Sequence, residues 1–453
     1  MGALENGKFR QLEAVAIEEE KESVAIQDAV KVLLHGLGED INREGLKKTP
    51  VRVAKALREA TSGYRENVKD IVGGALFPEA AFGRVHVQGL HLFSFCESCL
   101  LPFQVECHVS YVPTDGTVVG LSKLSRVSTV YARRLQDPQR LANEICSALY
   151  HEIKSASVGV VLKCSHIRFP SLESFLLDSN NQGWVKEIVR SGAGVFEDDK
   201  ADAWVDFSRC LKLGGINVDI STARNFTKHS WCPSQCISAA GIATEIEPPK
   251  PDMVAAVASI IRSLGEDPSR KELVDTPSRF VTWLMNFQNL NLDMKLNGFL
   301  CGRTDSLKCS GEAGIHNDQV KEQIHCEQNL ALWSQCEHHL LPFYGKVHIG
   351  YFCPEGFAPI GKSLLQSIVH FYGFKLQVQE RITTQIANTI SSLVGGDVIV
   401  LVEAEHMCMM CRGVKQIGSK TITDVCLGRF ETDKQAQDAV WDDILSSRAS
   451  GVS

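Results

Sequence analysis

The feature that most constrains this 453-residue chain is that it carries one pattern twice. Leu37-Gly38-Glu39-Asp40 returns as Leu264-Gly265-Glu266-Asp267, and Thr49-Pro50 as Thr276-Pro277, both 227 residues later. Cys96-Glu97, Leu100 to Phe103, His108, Tyr111 and His166 return as Cys336-Glu337, Leu340 to Phe343, His348, Tyr351 and His406, each 240 residues on. Ordered matches at near-constant offset are the signature of a duplicated structural unit. The repeats run from about 26 to 212 and from 253 to 445, so the length is spent on two copies of one fold. Residues 213–252 between them are rich in Gly, Ser, Thr and Pro and read as a linker.

Each repeat opens with an amphipathic helix, through Ala29, Val30, Leu33 and Leu34 or Val254, Val257, Ile260 and Ile261. A second helix follows at Thr-Pro, because proline is well tolerated in the first helical turn. Alternating segments such as Lys346-Val347-His348-Ile349-Gly350-Tyr351 predict strands. A long helix then carries Leu141, Ile145, Leu149 and Ile153, or Ile382, Ile386, Ile390 and Leu393. Buried strands at Val158–Leu162 and Val398–Val402 close each unit. The order predicts an α+β repeat with antiparallel strands and paired helices, not a βαβ chain.

The second repeat holds the densest chemistry. Cys336-Glu337-His338-His339 is followed by His406-Met407-Cys408 and, farther on, Cys411-Arg412. Cys336, His339 and Cys408 supply two thiolates and an imidazole, a donor set suited to zinc with the fourth position open for water. His338 and His406 are spare imidazoles, which titrate near neutrality and suit proton transfer. Other readings fit the same residues: a redox Cys408/Cys411 pair, a closed four-ligand site using Cys411, or methionines that are simply core.

The first repeat has the complementary inventory. Ser98 and Cys99 stand where the second has His338 and His339, and Arg168 stands at the position of Cys408. Arginine is permanently protonated and is no metal ligand; a redox Cys96/Cys99 pair is an alternative use of those thiols. The first repeat instead keeps Arg52 and Lys55 on its second helix, and Ser122, Lys123 and Arg126 at the start of another. Cations and a hydroxyl at a helix start suit a polyphosphate, although such clusters are often only solvated surface. The second repeat retains Arg279 and Ser363 but has Thr282, Leu364 and Ser367 at the other positions. It alone has an acid, Glu380, beside Gln379 ahead of the long helix, suited to the N–H edge of a flat heterocycle or, more plainly, to the helix dipole.

Composition limits the partners. A net charge of -7 and a pI near 6.1 leave no broad basic field for nucleic acid, and the longest apolar runs are strand-sized, too short to span a membrane. The N-terminal residues show no export or transit pattern, so the expected location is cytoplasmic, with the 16 cysteines as thiols.

Through Cys-Glu-His-His, Gly-Leu-Ser-Lys-x-x-Arg, Gln-Val-Gln-Glu-Arg and His-x-Cys-Met-x-x-Arg-Gly, the chain resembles the GTP cyclohydrolase I family, and its tandem form resembles the plant type. The resemblance implies two tandem T-fold (tunnelling-fold) domains, GTP as substrate and a homo-oligomer. It implies zinc (Zn2+) on Cys336, His339 and Cys408, and His338 and His406 as acid/base groups. Gln379 and Glu380 would hold guanine. Arg412, Ser363 and Arg279 would join the phosphate contacts, with Arg52, Lys55, Ser122, Lys123 and Arg126 of the first repeat. Because the losses are reciprocal, the expectation is one active site drawing on both repeats. The alternative is a GTP-binding pseudoenzyme that scaffolds pterin synthesis.

Overall fold

The computed structural model describes residues 2–449 except 75, 79–82, 115–116, 168–183, 218–230, 233–247, 290–321, 355–358 and 413–417. Arg168 and most of the predicted linker lie outside the described residues. The first repeat contains α1 (Gly2–Gly36), α2 (Thr49–Ala60), α3 (Val68–Val72), β1 (Leu76–Pro78), β2 (Val85–Cys96), β3 (Pro102–Val112), β4 (Thr117–Val119), α4 (Leu121–Ala132), β5 (Leu135–Gln136), α5 (Pro138–Glu152), β6 (Ser157–Ile167), β7 (Trp184–Ala193) and α6 (Asp202–Leu213). The second contains α7 (Pro251–Ser263), α8 (Thr276–Asn289), β8 (Glu322–Cys336), β9 (Pro342–Pro354), α9 (Lys362–Gly373), β10 (Leu376–Gln377), α10 (Gln379–Val394), β11 (Val398–His406), α11 (Met407–Met410), β12 (Thr421–Leu427) and α12 (Lys434–Ala449).

Each repeat builds a five-stranded sheet with the same order, β5-β2-β3-β6-β7 and β10-β8-β9-β11-β12, and packs helices on it. Both are T-fold domains. The expected antiparallel pairing holds except at one edge, where two-residue β5 and β10 pair in parallel with β2 and β8. Periodicity could not have shown strands that short. The predicted helix faces are buried: Leu141, Ile145 and Leu149 of α5 and Ile382, Ile386 and Ile390 of α10 are each at most 1% exposed. Their non-polar area, removed from water at roughly 25 cal/mol per Å2, supplies the main drive for helix-on-sheet packing.

Space divides the chain differently from the repeats. One compact unit comprises Met1–Ser171, Gln182–Trp283 and Met409–Ile417, and the other is built mainly on Leu284–Cys408 and Gly418–Ser453. Helix α7, second repeat by sequence, therefore packs on α1 in the first unit, with Lys250 Nζ donating to the Gly36 carbonyl at 2.6 Å. Its next loop follows: Arg270 lies 3.0 Å from the buried Glu97 carboxylate, which Arg140 also pairs at 3.0 Å.

The same turn ends β2 and β8. Leu100 (φ 57°) and Leu340 (φ 54°) both take left-handed backbone, which costs an L-residue with a Cβ roughly 1–2 kcal/mol. The turn is closed by Leu340 N–H donating to the Cys336 carbonyl at 2.9 Å, and in the first repeat by Leu100 N–H to Cys96 at 2.8 Å. Burial of both leucines offsets the strain. Beside it, Gly345 lets β9 approach the β11 segment that leads into His406: a Cβ there would lie 1.8 Å from the Glu403 carbonyl oxygen. Gly345→Val should lower stability by about 2 kcal/mol or more, as forced overpacking does, and a thermal melt of the full chain checks this.

Candidate active site

The turn ending β8 and the end of β11 bring the predicted donors together. The ligand atoms of Cys336, His339 and Cys408 lie within 4.8 Å of one another, with both cysteines buried. Cys336 leaves the strand end, and His339 follows three residues later through the Leu340 turn. Cys408 sits in the short α11 after β11. Among the described residues Cys411 is not part of this group, so the set is the open three-donor one.

Two observations favour a cation there. His339 Nδ1 is buried without a hydrogen-bond partner, an arrangement that wastes a polar atom unless something outside the protein takes its lone pair. The Cys336 thiol is held well below its ordinary range, first by the hydrogen bond from Cys408, which with the neighbouring histidines outweighs burial. A thiolate-forming sulfur beside an unpartnered imidazole nitrogen is the chemistry of a soft or borderline divalent ion.

The turn is clamped to α10. Glu337, 1% exposed, accepts two parallel bonds from Arg381, Nη1 at 2.8 Å and Nη2 at 3.0 Å. Bidentate guanidinium–carboxylate pairing fixes orientation as well as distance. Arg381 lies on the same helix as Gln379 and Glu380, so the ligand turn and the helix start are held together.

His406 has a defined tautomer. Gln379 Nε2 donates to the Val402 and Thr421 carbonyls, both at 3.0 Å, and carbonyls only accept, so the amide cannot be turned round. Its Oε1 therefore faces His406 Nε2 at 2.8 Å, and that nitrogen must carry the proton. Phe343 stacks on the ring at 4.5 Å and 8°, which fixes its plane. Gln379 is 2% exposed, and its side-chain amide is engaged by Val402, Thr421 and His406. Glu380 is exposed in the first turn of α10, and His338 is half-exposed at the turn, its Nε2 4.0 Å from Glu337.

The expected phosphate residues are in varied states. Ser122, Lys123 and Arg126 lie in the first turns of α4 behind Gly120, but Lys123 Nζ donates to the Ile71 carbonyl at 2.7 Å. Arg126 is exposed, Arg52 half-buried, and Lys55 exposed 3.9 Å from Glu59, all within the first unit. In α8, Arg279 pairs with Asp275 at 2.9 Å; Ser363 is exposed at the start of α9, and Arg412 is half-buried just past α11. Sequence reasoning missed Phe343 and Arg381. Phe343 closes the repeated segment Leu340 to Phe343, and Arg381 directly follows Glu380 and has Arg140 as its counterpart in the first repeat. The duplication itself was therefore the signal that marks both.

Fold and centre define a tandem T-fold protein with an open cysteine–histidine metal-type site. The family model described as GTP cyclohydrolase I matches residues 26–171 and 253–444, one match in each repeat. A GTP cyclohydrolase 1 of Solanum lycopersicum is 54% identical over 468 aligned positions, covering all of both chains. That of Arabidopsis thaliana is 54% identical over 96% of this chain and 93% of its own, and that of Dictyostelium discoideum 39% identical over 38% of this chain and 72% of its own. The chain belongs to the GTP cyclohydrolase I family.

The His406 tether separates two roles that a mutant series can read. Gln379→Ala should lower kcat by about 10- to 100-fold, the usual cost of losing a group that orients a working histidine, with little change in KM. Glu380→Ala should instead raise KM for GTP. Steady-state kinetics on both full-length variants distinguishes the roles.

Proposed function

We propose that this chain hydrolyses GTP to 7,8-dihydroneopterin triphosphate and formate, the entry to pterin and folate synthesis, with zinc held by Cys336, His339 and Cys408. The observation that carries the reading is the convergence of those three donors around a partnerless imidazole nitrogen, next to a histidine with one nitrogen pinned. When bound, the ion supplies Lewis acidity and lowers the pKa of water to about 7.

The chain's own groups account for the rest. Glu380 accepts two N–H bonds from the guanine edge and fixes the base. Water adds at the carbon between the two imidazole nitrogens, and that carbon's bond to one of them breaks; a second water cleaves the other carbon–nitrogen bond so that the carbon leaves as formate, and one water is returned when the new ring closes. His406 gives a proton to the ring nitrogen through Nδ1 while Gln379 holds the other side of its ring. An imidazole can both donate and accept a proton, so it serves both directions of transfer. His338 serves the later transfers on the ribose carbons, which rearrange to close the new ring.

Binding of the triphosphate falls to Arg52, Lys55, Ser122, Lys123 and Arg126 of the first repeat, with Ser363, Arg279 and Arg412 from the second. That division rests on the reciprocal losses in the sequence. Assembly with further copies of the chain is part of the same proposal.

The test is formate release from GTP. The intact chain should release formate and form a fluorescent pterin after oxidation, and Cys336→Ser should lose at least about a thousandfold of that rate. GTP binding without formate release by the metal-loaded chain would leave a scaffold function in its place.

A further inference from the structure

The first repeat holds a second convergence of sulfur and nitrogen, one that the repeat pattern did not require. Cys96, Cys99, His166 and Cys232 are all buried, and their donor atoms lie within 4.8 Å of one another. Cys99 Sγ is 3.3 Å from His166 Nε2, and Cys232 Sγ is 4.0 Å from the same nitrogen. We propose that these four side chains form a closed tetrahedral metal site of the zinc class, separate from the open set of the second repeat.

The geometry fits the ion. Bonds of about 2.3 Å to sulfur and about 2.0 Å to nitrogen at tetrahedral angles separate adjacent S and N donors by about 3.5 Å. The two observed distances bracket that value. The imidazole is aimed correctly as well: His166 Nδ1 lies 2.8 Å from the Ile167 carbonyl, which only accepts, so Nδ1 carries the hydrogen and Nε2 turns its lone pair to the sulfurs. A backbone carbonyl behind a metal-binding histidine is the usual orienting partner.

Comparison of the repeats explains why a different site arises on the same frame. Pro138 occupies the position of Gln379, so no side-chain amide is there to hold the histidine ring by Nε2. Cys99 leaves the same left-handed turn as His339 and replaces an imidazole with a thiol. The further sulfur comes from Cys232, far outside the repeated motifs. Its neighbour Trp231 packs edge-on against His166 at 5.0 Å and against Phe103 at 4.9 Å, covering the cluster.

Four protein donors leave no position for water or substrate, so the site is structural. It ties Cys232 to the end of β2, the turn that follows it and β6. Binding releases the thiol protons, and its free energy becomes folding free energy of this repeat. A disulfide accounts for less: it needs two sulfurs at about 2.05 Å and leaves the third thiol and the aimed imidazole without a purpose. Among the described residues none of these cysteines is paired in a disulfide.

Metal content and cobalt spectra of the full-length chain, purified under reductant, test the proposal. The wild type should hold two equivalents of zinc per chain. Cys336→Ser and Cys232→Ser should each retain one, lost from different sites. Cys336→Ser reloaded with Co2+ should show intense thiolate-to-cobalt charge transfer and the visible bands of a tetrahedral ion. A Cys336→Ser chain that holds no zinc, or whose cobalt spectrum is weak and six-coordinate, overturns the proposal. That reading needs no turnover and stands even where Cys232→Ser fails to fold.

Discussion

The arrangement depends on one strained turn. At the end of β8 the chain must reverse within four residues while sending Cys336 and His339 toward the same point, and a leucine accepts left-handed backbone to do so. The strain is small beside what surrounds it: a buried side chain, the Cys336 and Leu340 backbone bonds, and a bidentate pair from Glu337 to α10. Removing Arg381 would leave a carboxylate buried without its partner, which costs far more than the pair itself is worth. Strain held in place by neighbours that over-determine it is typical of functional positions.

The first repeat has the identical turn with different side chains on it. Leu100 is as left-handed as Leu340, and Glu97 pairs with Arg140 as Glu337 does with Arg381. Phe103 lies parallel to His166 as Phe343 does to His406. The backbone therefore delivers donors to the same place in both, and side-chain identity, with Cys232 added in the first repeat, decides what is built there. In the second repeat, Gln379 holds His406 by Nε2. In the first, proline at that position leaves His166 to join the sulfurs.

Much of this was legible in the sequence, for definite reasons. Repeated motifs at constant offset survive any fold, and helices such as α5 and α10 announce themselves by buried residues three and four apart. The set Cys336, His339 and Cys408 was legible because two donors share one short motif. The tether from Gln379 to His406 was not legible, because it depends on which carbonyls the amide meets, which spacing does not encode. Cys232 was invisible since it lies 66 residues from His166 within a segment that reads as linker. Nor could the pattern show that α7 packs on α1, because an amphipathic face specifies that it is buried and not against what.

That packing changes how the division of labour is best examined, since cutting the chain at the repeat boundary would strip α7 from the unit it completes. The most direct measurement is the KM for GTP of the full-length chain carrying Arg52→Ala and Arg126→Ala. If the first repeat supplies the triphosphate cations, KM rises by about tenfold or more for each lost charge-assisted bond while bound metal is unchanged. An unchanged KM in that variant would contradict the account.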